Sequence, residues 1–73
     1  MLKEGLTYTS ELTVDEGVTA IAMGSGDMPV LATPAMMALM ENAAMLAVAD
    51  HLPEGCTTVG GQISATHLKP TPI

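Results

Sequence analysis

Phenylalanine and tryptophan are absent from the 73-residue chain and tyrosine occurs once, so any core must be built from aliphatics, alanine and the 7 methionines. Cations are scarce too: Lys3 and Lys69 stand against 8 acids, for a net charge of −6. Nucleic acid is bound through clustered cations, and this balance argues against such a partner. With Cys56 as its one cysteine the chain can form no internal disulfide, which suits a reducing, cytoplasmic setting. The N-terminus "MLKEGLTYTS" lacks the apolar run of a secretory signal. Residues 34–49 are the most apolar stretch, yet they fall short of the roughly 20 residues of a membrane-spanning helix, and Glu41 and Asn42 interrupt them. No phosphate loop of either standard spacing is present. A soluble protein without a membrane partner is expected.

What is present is largely apolar: 48% of the residues, too many for a disordered segment. A chain this short buries only roughly 60% of its unfolded surface. Its core is therefore expected to be completed against another copy or another segment, and the unpaired edge of a sheet of roughly three strands leads to the expectation of a homodimer or larger homo-oligomer. Residues 6–14, "LTYTSELTV", have the threonine, tyrosine and valine content of a strand. "DEG" at 15–17 is turn chemistry and "VTAIAM" at 18–23 reads as a second strand, so a hairpin is expected. "GSGDMP" at 24–29 is a loop.

The helix that follows is well marked. Thr33 is placed to cap the free backbone amides, and Pro34 suits the first turn, where its missing N–H is no loss. Asp50-His51-Leu52-Pro53 ends it, because Pro53 cannot continue a helix. Between Thr33 and Ala49 neither face is polar, which predicts a helix covered on most sides by a sheet. At 100° per residue Glu41 shares a stripe with Pro34, Met37, Ala44, Met45 and Val48, an otherwise apolar face. Residues 57–68, "TTVGGQISATHL", read as a strand with Val59, Gly61, Ile63, Ala65 and His67 on one face and Thr58, Gln62, Ser64 and Thr66 on the other.

This pattern directs an acid, Glu41, and an imidazole, His67, into one apolar interior, where each needs a partner. Beside a hydroxyl such as Thr33, a carboxylate and an imidazole can hold or relay a proton near neutral pH. Plainer roles compete for each residue: Thr33 as a cap alone, Glu41 as a solvated or dimer-interface side chain, His67 as a satisfied core histidine. His51 at the helix C-terminus suits the dipole. Cys56 has no neighbouring His or Cys to mark a nucleophile or zinc site. Met36 and Met40, one turn apart, suit core filling better than copper. Gly60-Gly61 within a strand pattern marks either a bulge or a close approach to the backbone.

Taken together, "GSGDMPVLATPAMMALMENAAMLAVADHLPEGCTTVGGQISATHLKPTP" (residues 24–72) resembles the hotdog-fold thioesterases of the fluoroacetyl-CoA thioesterase-like family. The likeness is carried by "ATPA", "LME" and the alanine beyond it, "PEG", "TVG", and a histidine followed by a proline-rich turn. The resemblance implies an α+β hotdog fold, an antiparallel sheet wrapped round a long central helix. It also implies a dimer with active sites at the interface and hydrolysis of acyl-CoA without metal or other cofactor. By the same resemblance the catalytic threonine, glutamate and histidine fall on Thr33, Glu41 and His67, and the glycine beside the substrate carbonyl on Gly60.

Two departures qualify the likeness. Family members continue for several strands beyond the histidine, so residues 1–73 are expected to be a single hotdog domain represented by its N-terminal half. Without phenylalanine there can be no phenylalanine lid, and selectivity for a fluorinated acyl group is not carried over. The expected activity is acyl-CoA thioester hydrolysis. The alternative is a non-catalytic hotdog module or fragment that binds acyl thioesters or dimerises.

Overall fold

The computed structural model describes residues 5–73. After Gly5 the chain runs to Val14 without a ladder partner, then makes a 3₁₀ turn at Glu16–Val18 and a short helix, α1 (Ala20–Met23). The long helix, α2, spans Thr33–Val48 and tightens into a 3₁₀ turn at Ala49–His51. Beyond it, residues 57–68 form no strand.

The expected turn at 15–17 is present: Asp15 Oδ1 accepts from Gly17 N–H at 2.9 Å. The expected strand at 18–23 is not. Thr19 stands in extended backbone and caps α1, its hydroxyl accepting from Ala22 N–H at 3.2 Å and donating to Glu16 O at 3.0 Å. Gly24, in the left-handed region at φ 71°, closes the same helix. A threonine cap and a left-handed glycine five residues apart enclose Ala-Ile-Ala-Met, and these signals outweigh the strand preference of Val18 and Ile21. With the second strand turned into a helix, residues 6–14 have no neighbour with which to form a hairpin.

The core lies where three stretches of chain converge. Residues 30–32 pair with the α1 entrance on one side, through Ala20 N–H to Val30 O and Ala32 N–H to Val18 O, both 2.8 Å. On the other side Leu31 N–H donates to Thr71 O, also at 2.8 Å. The two isolated antiparallel bridges, Thr19 with Leu31 and Val30 with Pro72, belong to this junction. Among the described residues they are all that is present of the expected sheet. Leu31, Ala32 and Ala35 are buried here, with Val14, Val18, Ala20 and Met36 packed against them, and Thr19 is buried beside them at 5% exposure.

The junction leads directly into α2. Ala32 is fully buried and extended (φ −68°, ψ 135°), and it occupies the N-cap position without a side-chain cap bond. Thr33 is thus the first helical residue, which corrects the expectation that it caps the helix. Pro34 sits in the first turn as expected. The helix stops as expected too, Leu52 taking the extended backbone (φ −103°, ψ 153°) that Pro53 demands of its predecessor.

The expected wrapping of α2 is not realised among the described residues. Ala35 is its one buried residue, and Met40 is 49% exposed. The radius of gyration, 14.5 Å, exceeds the roughly 11 Å of a compact domain of this length. Much of the α2 surface faces outward.

Candidate active site

The four residues singled out in the sequence fall into two pairs along α2. The first is Thr33 and His67. The junction at residues 30–32 fixes the start of the helix, and the Leu31–Thr71 bond brings the end of the 57–68 segment alongside it. His67 thereby meets the first residue of α2, and Thr33 Oγ1 lies 3.0 Å from His67 Nδ1. Both side chains are half-buried. With Nδ1 unprotonated the hydroxyl donates to it, the arrangement in which an imidazole can withdraw a proton from an attacking oxygen. Because Thr33 does not cap the helix, its hydroxyl is available for this bond.

The second pair is Glu41 and Gly60. The Glu41 carboxylate rests against Gly60 so closely that any side chain at that position would collide with Oε2. The sequence read Gly60 as either a bulge or a place of close approach. Close approach is what is found, and the approaching group is the chain's own carboxylate. Gly60 is not in the left-handed region, so the need for glycine here is one of space and not of backbone angle.

Glu41 and Gly60 line a cavity of about 600 Å³ between the middle of α2 and the following segment. Its wall is mainly apolar, from Met45, Val48, Val59 and Ile63 among others, with Asn42, Thr58 and Gln62 as polar groups. The sequence alternation places Thr58 and Gln62 on the face opposite Val59 and Ile63. All four line the same space, because alternation holds only in a strand and this segment is not one. Val59 is 91% exposed, so the cavity is broadly open to solvent. Glu41 is itself exposed, a correction to the buried acid that its helical stripe suggested.

The two pairs do not meet within one chain. Eight helical positions separate Thr33 from Glu41, about 12 Å along the axis. Neither Thr33 nor His67 lines the cavity, and among the described residues no hydrogen bond joins Glu41 to His67.

Asn42 went unassigned in the sequence. It was visible there only as a polar interruption of an apolar helix, next to Glu41. It lines the cavity, and its Oδ1 accepts from Ser10 Oγ at 2.7 Å. A second, more apolar cavity of about 420 Å³ lies beside Leu12, Val18, Met23, Ala35 and Leu39. It contains no titratable side chain. Among the described residues no three His, Cys, Asp or Glu side chains are grouped to hold a metal ion, and no helix is long and apolar enough to cross a membrane.

Comparison with known proteins gives one result. The family model of the fluoroacetyl-CoA-specific thioesterases (FlK) matches residues 14–73, a span containing both pairs. No curated protein and no solved structure matches the chain significantly. A match over this much of the sequence settles kinship: the chain belongs to the fluoroacetyl-CoA-specific thioesterase family.

Proposed function

We propose that the protein hydrolyses acyl-CoA thioesters, with Thr33, Glu41 and His67 as catalytic residues and Gly60 beside the substrate carbonyl. The observation that carries this reading is the 3.0 Å contact between Thr33 Oγ1 and His67 Nδ1, made across 34 positions of sequence within the family match. Hydrolysis requires an oxygen nucleophile, a group to take its proton, and a donor for the charge that develops on the carbonyl oxygen. Thr33, or a water in its place, attacks the thioester carbon while His67 accepts the proton. The carbonyl oxygen becomes an oxyanion, stabilised by the backbone N–H near Gly60. Collapse of this intermediate breaks the carbon–sulfur bond, and His67 returns the proton to the departing thiolate. When Thr33 attacks first, water then cleaves the acyl-threonine by the same route. The products are a carboxylic acid and free CoA. Glu41 orients or activates the attacking group.

The separation of the pairs by about 12 Å gives the proposal a second part. A homodimer in which two copies pack across their exposed α2 faces would bring the Thr33–His67 pair of one copy to the Glu41–Gly60 cavity of the other. The apolar exposure of α2, including Met40, favours such pairing. The exposed, unpaired Cys56 fits a reducing cytoplasm.

The same separation also favours a second reading, a module that binds acyl thioesters or dimerises without turning substrate over. Thiol release from short- and medium-chain acyl-CoAs distinguishes the two. Turnover that disappears in Thr33→Ala, Glu41→Gln and His67→Ala supports the enzyme. Tight binding with no thiol release from the native protein supports the module and overturns the catalytic reading.

A further inference from the structure

Asn42 follows Glu41 on α2 and lines the same cavity. Its amide has two unlike ends, a carbonyl oxygen that accepts and a nitrogen with two hydrogens to donate. Ser10 Oγ donates to the oxygen at 2.7 Å, across 32 positions of sequence. The oxygen is engaged by this bond, and among the described residues Nδ2 donates to no other side chain. Ser10 lies before residue 14, where the family match begins, so the clamp is set by a part of this chain outside the matched motif.

If Glu41 acts at the reacting carbonyl, the neighbouring side chain reaches atoms a few bonds away from it. On the acyl side of a simple substrate those atoms are hydrocarbon and offer nothing to an N–H donor. On the thiol side every CoA thioester carries an amide a short ethylene link from the sulfur, and its carbonyl is a good acceptor. We infer, resting on the thioesterase reading above, that Asn42, held by Ser10, positions the pantetheine arm of the substrate by donating from Nδ2 to the amide carbonyl nearest the sulfur. Asn42 makes and breaks no covalent bond. It fixes the thioester against Glu41 and Gly60, and the Ser10 hydroxyl holds the Asn42 side chain in place.

The test is a binding measurement that needs no turnover. Two non-hydrolysable thioethers are titrated by calorimetry into the native protein, Asn42→Leu, Asn42→Ala and Ser10→Ala, each checked for native circular dichroism. One ligand is S-butyl-CoA; the other is its analogue with a saturated hydrocarbon link in place of the sulfur-proximal amide. Loss of one hydrogen bond should weaken S-butyl-CoA binding about three- to tenfold in both Asn42 variants. Ser10→Ala should weaken it about twofold, since only orientation is lost. The analogue should bind the native protein as weakly as S-butyl-CoA binds Asn42→Leu, and none of the substitutions should weaken it further. Equal weakening of both ligands would reduce Asn42 to a structural residue, and no weakening, or no S-butyl-CoA binding to the native protein, would equally overturn the assignment. Absence of turnover in the native protein overturns the thioesterase reading alone and leaves this difference in affinity to be judged separately.

Discussion

The two ends of the candidate site are built differently. At the start of α2, Thr33 and His67 are held by a junction of three chain stretches, beside buried Leu31, Ala32 and Ala35. At the middle of α2, Glu41 and Gly60 face an open cavity whose far wall includes the exposed Val59. The first pair is positioned by backbone hydrogen bonds around it, the second by the contact of one flexible carboxylate with one glycine. Preorganisation is therefore greater at the Thr33–His67 pair than at Glu41, and what completes the candidate site must act mainly on the Glu41 side.

Substitutions at the ordered end should have the largest effect. His67→Ala should reduce thiol release by roughly a hundred- to ten-thousandfold, the range for a positioned general base. Adding Thr33→Ala to it should reduce the rate little further, because residues acting as a unit do not lose activity additively. A double variant that falls by the product of the single losses would separate the two roles.

Glu41→Gln should come next, lowering turnover by about a hundredfold. If two copies form the site, mixing Glu41→Gln with His67→Ala should restore part of the activity through heterodimers carrying one intact site. No recovery on mixing, in a preparation shown to exchange subunits, would place all three residues in one chain.

A smaller effect is expected at the core. Thr19→Ala removes a buried cap bond and a bond to Glu16 O, and should cost about 1–2 kcal/mol in urea unfolding. Thr33→Ala makes the contrast: it removes no cap bond and one half-buried side-chain contact, so it should cost only about 0.5–1 kcal/mol. A Thr33→Ala loss equal to that of Thr19→Ala would show that the Thr33–His67 contact is mainly structural.

Gly60→Ala should affect stability least. Its new methyl group meets the mobile end of the Glu41 side chain, which can swing aside into the open cavity. The melting temperature should hardly change, while turnover falls because the carboxylate is displaced. A large stability loss would show that the cavity wall is more rigid than its exposure implies.

Much of this contrast was legible in the sequence, but unevenly. The long helix and both its ends were readable because proline, the run of helix formers and the Asp-His-Leu-Pro stop are local signals. The site residues were readable through a motif, and the structure joins Thr33 to His67 and Glu41 to Gly60. The strands were not readable in the same way. Residues 18–23 contain both strand formers and a helix cap, and the cap prevailed once Thr19 was buried. Residues 57–68 alternate as a strand does, yet a strand exists only where a neighbour supplies its ladder. The role of Thr33 depended on whether the chain entered α2 one residue earlier, which the bridge through Ala32 decides and the sequence does not reveal. Asn42 offered one signal, its polarity, and its partner Ser10 was too remote to suggest the link.

The bond from Leu31 N–H to Thr71 O has a consequence for how the hydroxyl–imidazole pair is assembled. It closes a loop of about 40 residues that contains all of α2, and closing such a loop costs on the order of 3 kcal/mol of chain entropy before any contact inside it forms. The hydroxyl–imidazole pair lies just inside that closure and cannot persist when it opens. The helix can form early from local signals, but the Thr33–His67 pair is assembled only when the two distant ends of the loop meet. Exchange of the Leu31 amide hydrogen with solvent deuterium therefore reports the fraction of molecules in which the reactive pair is dismantled.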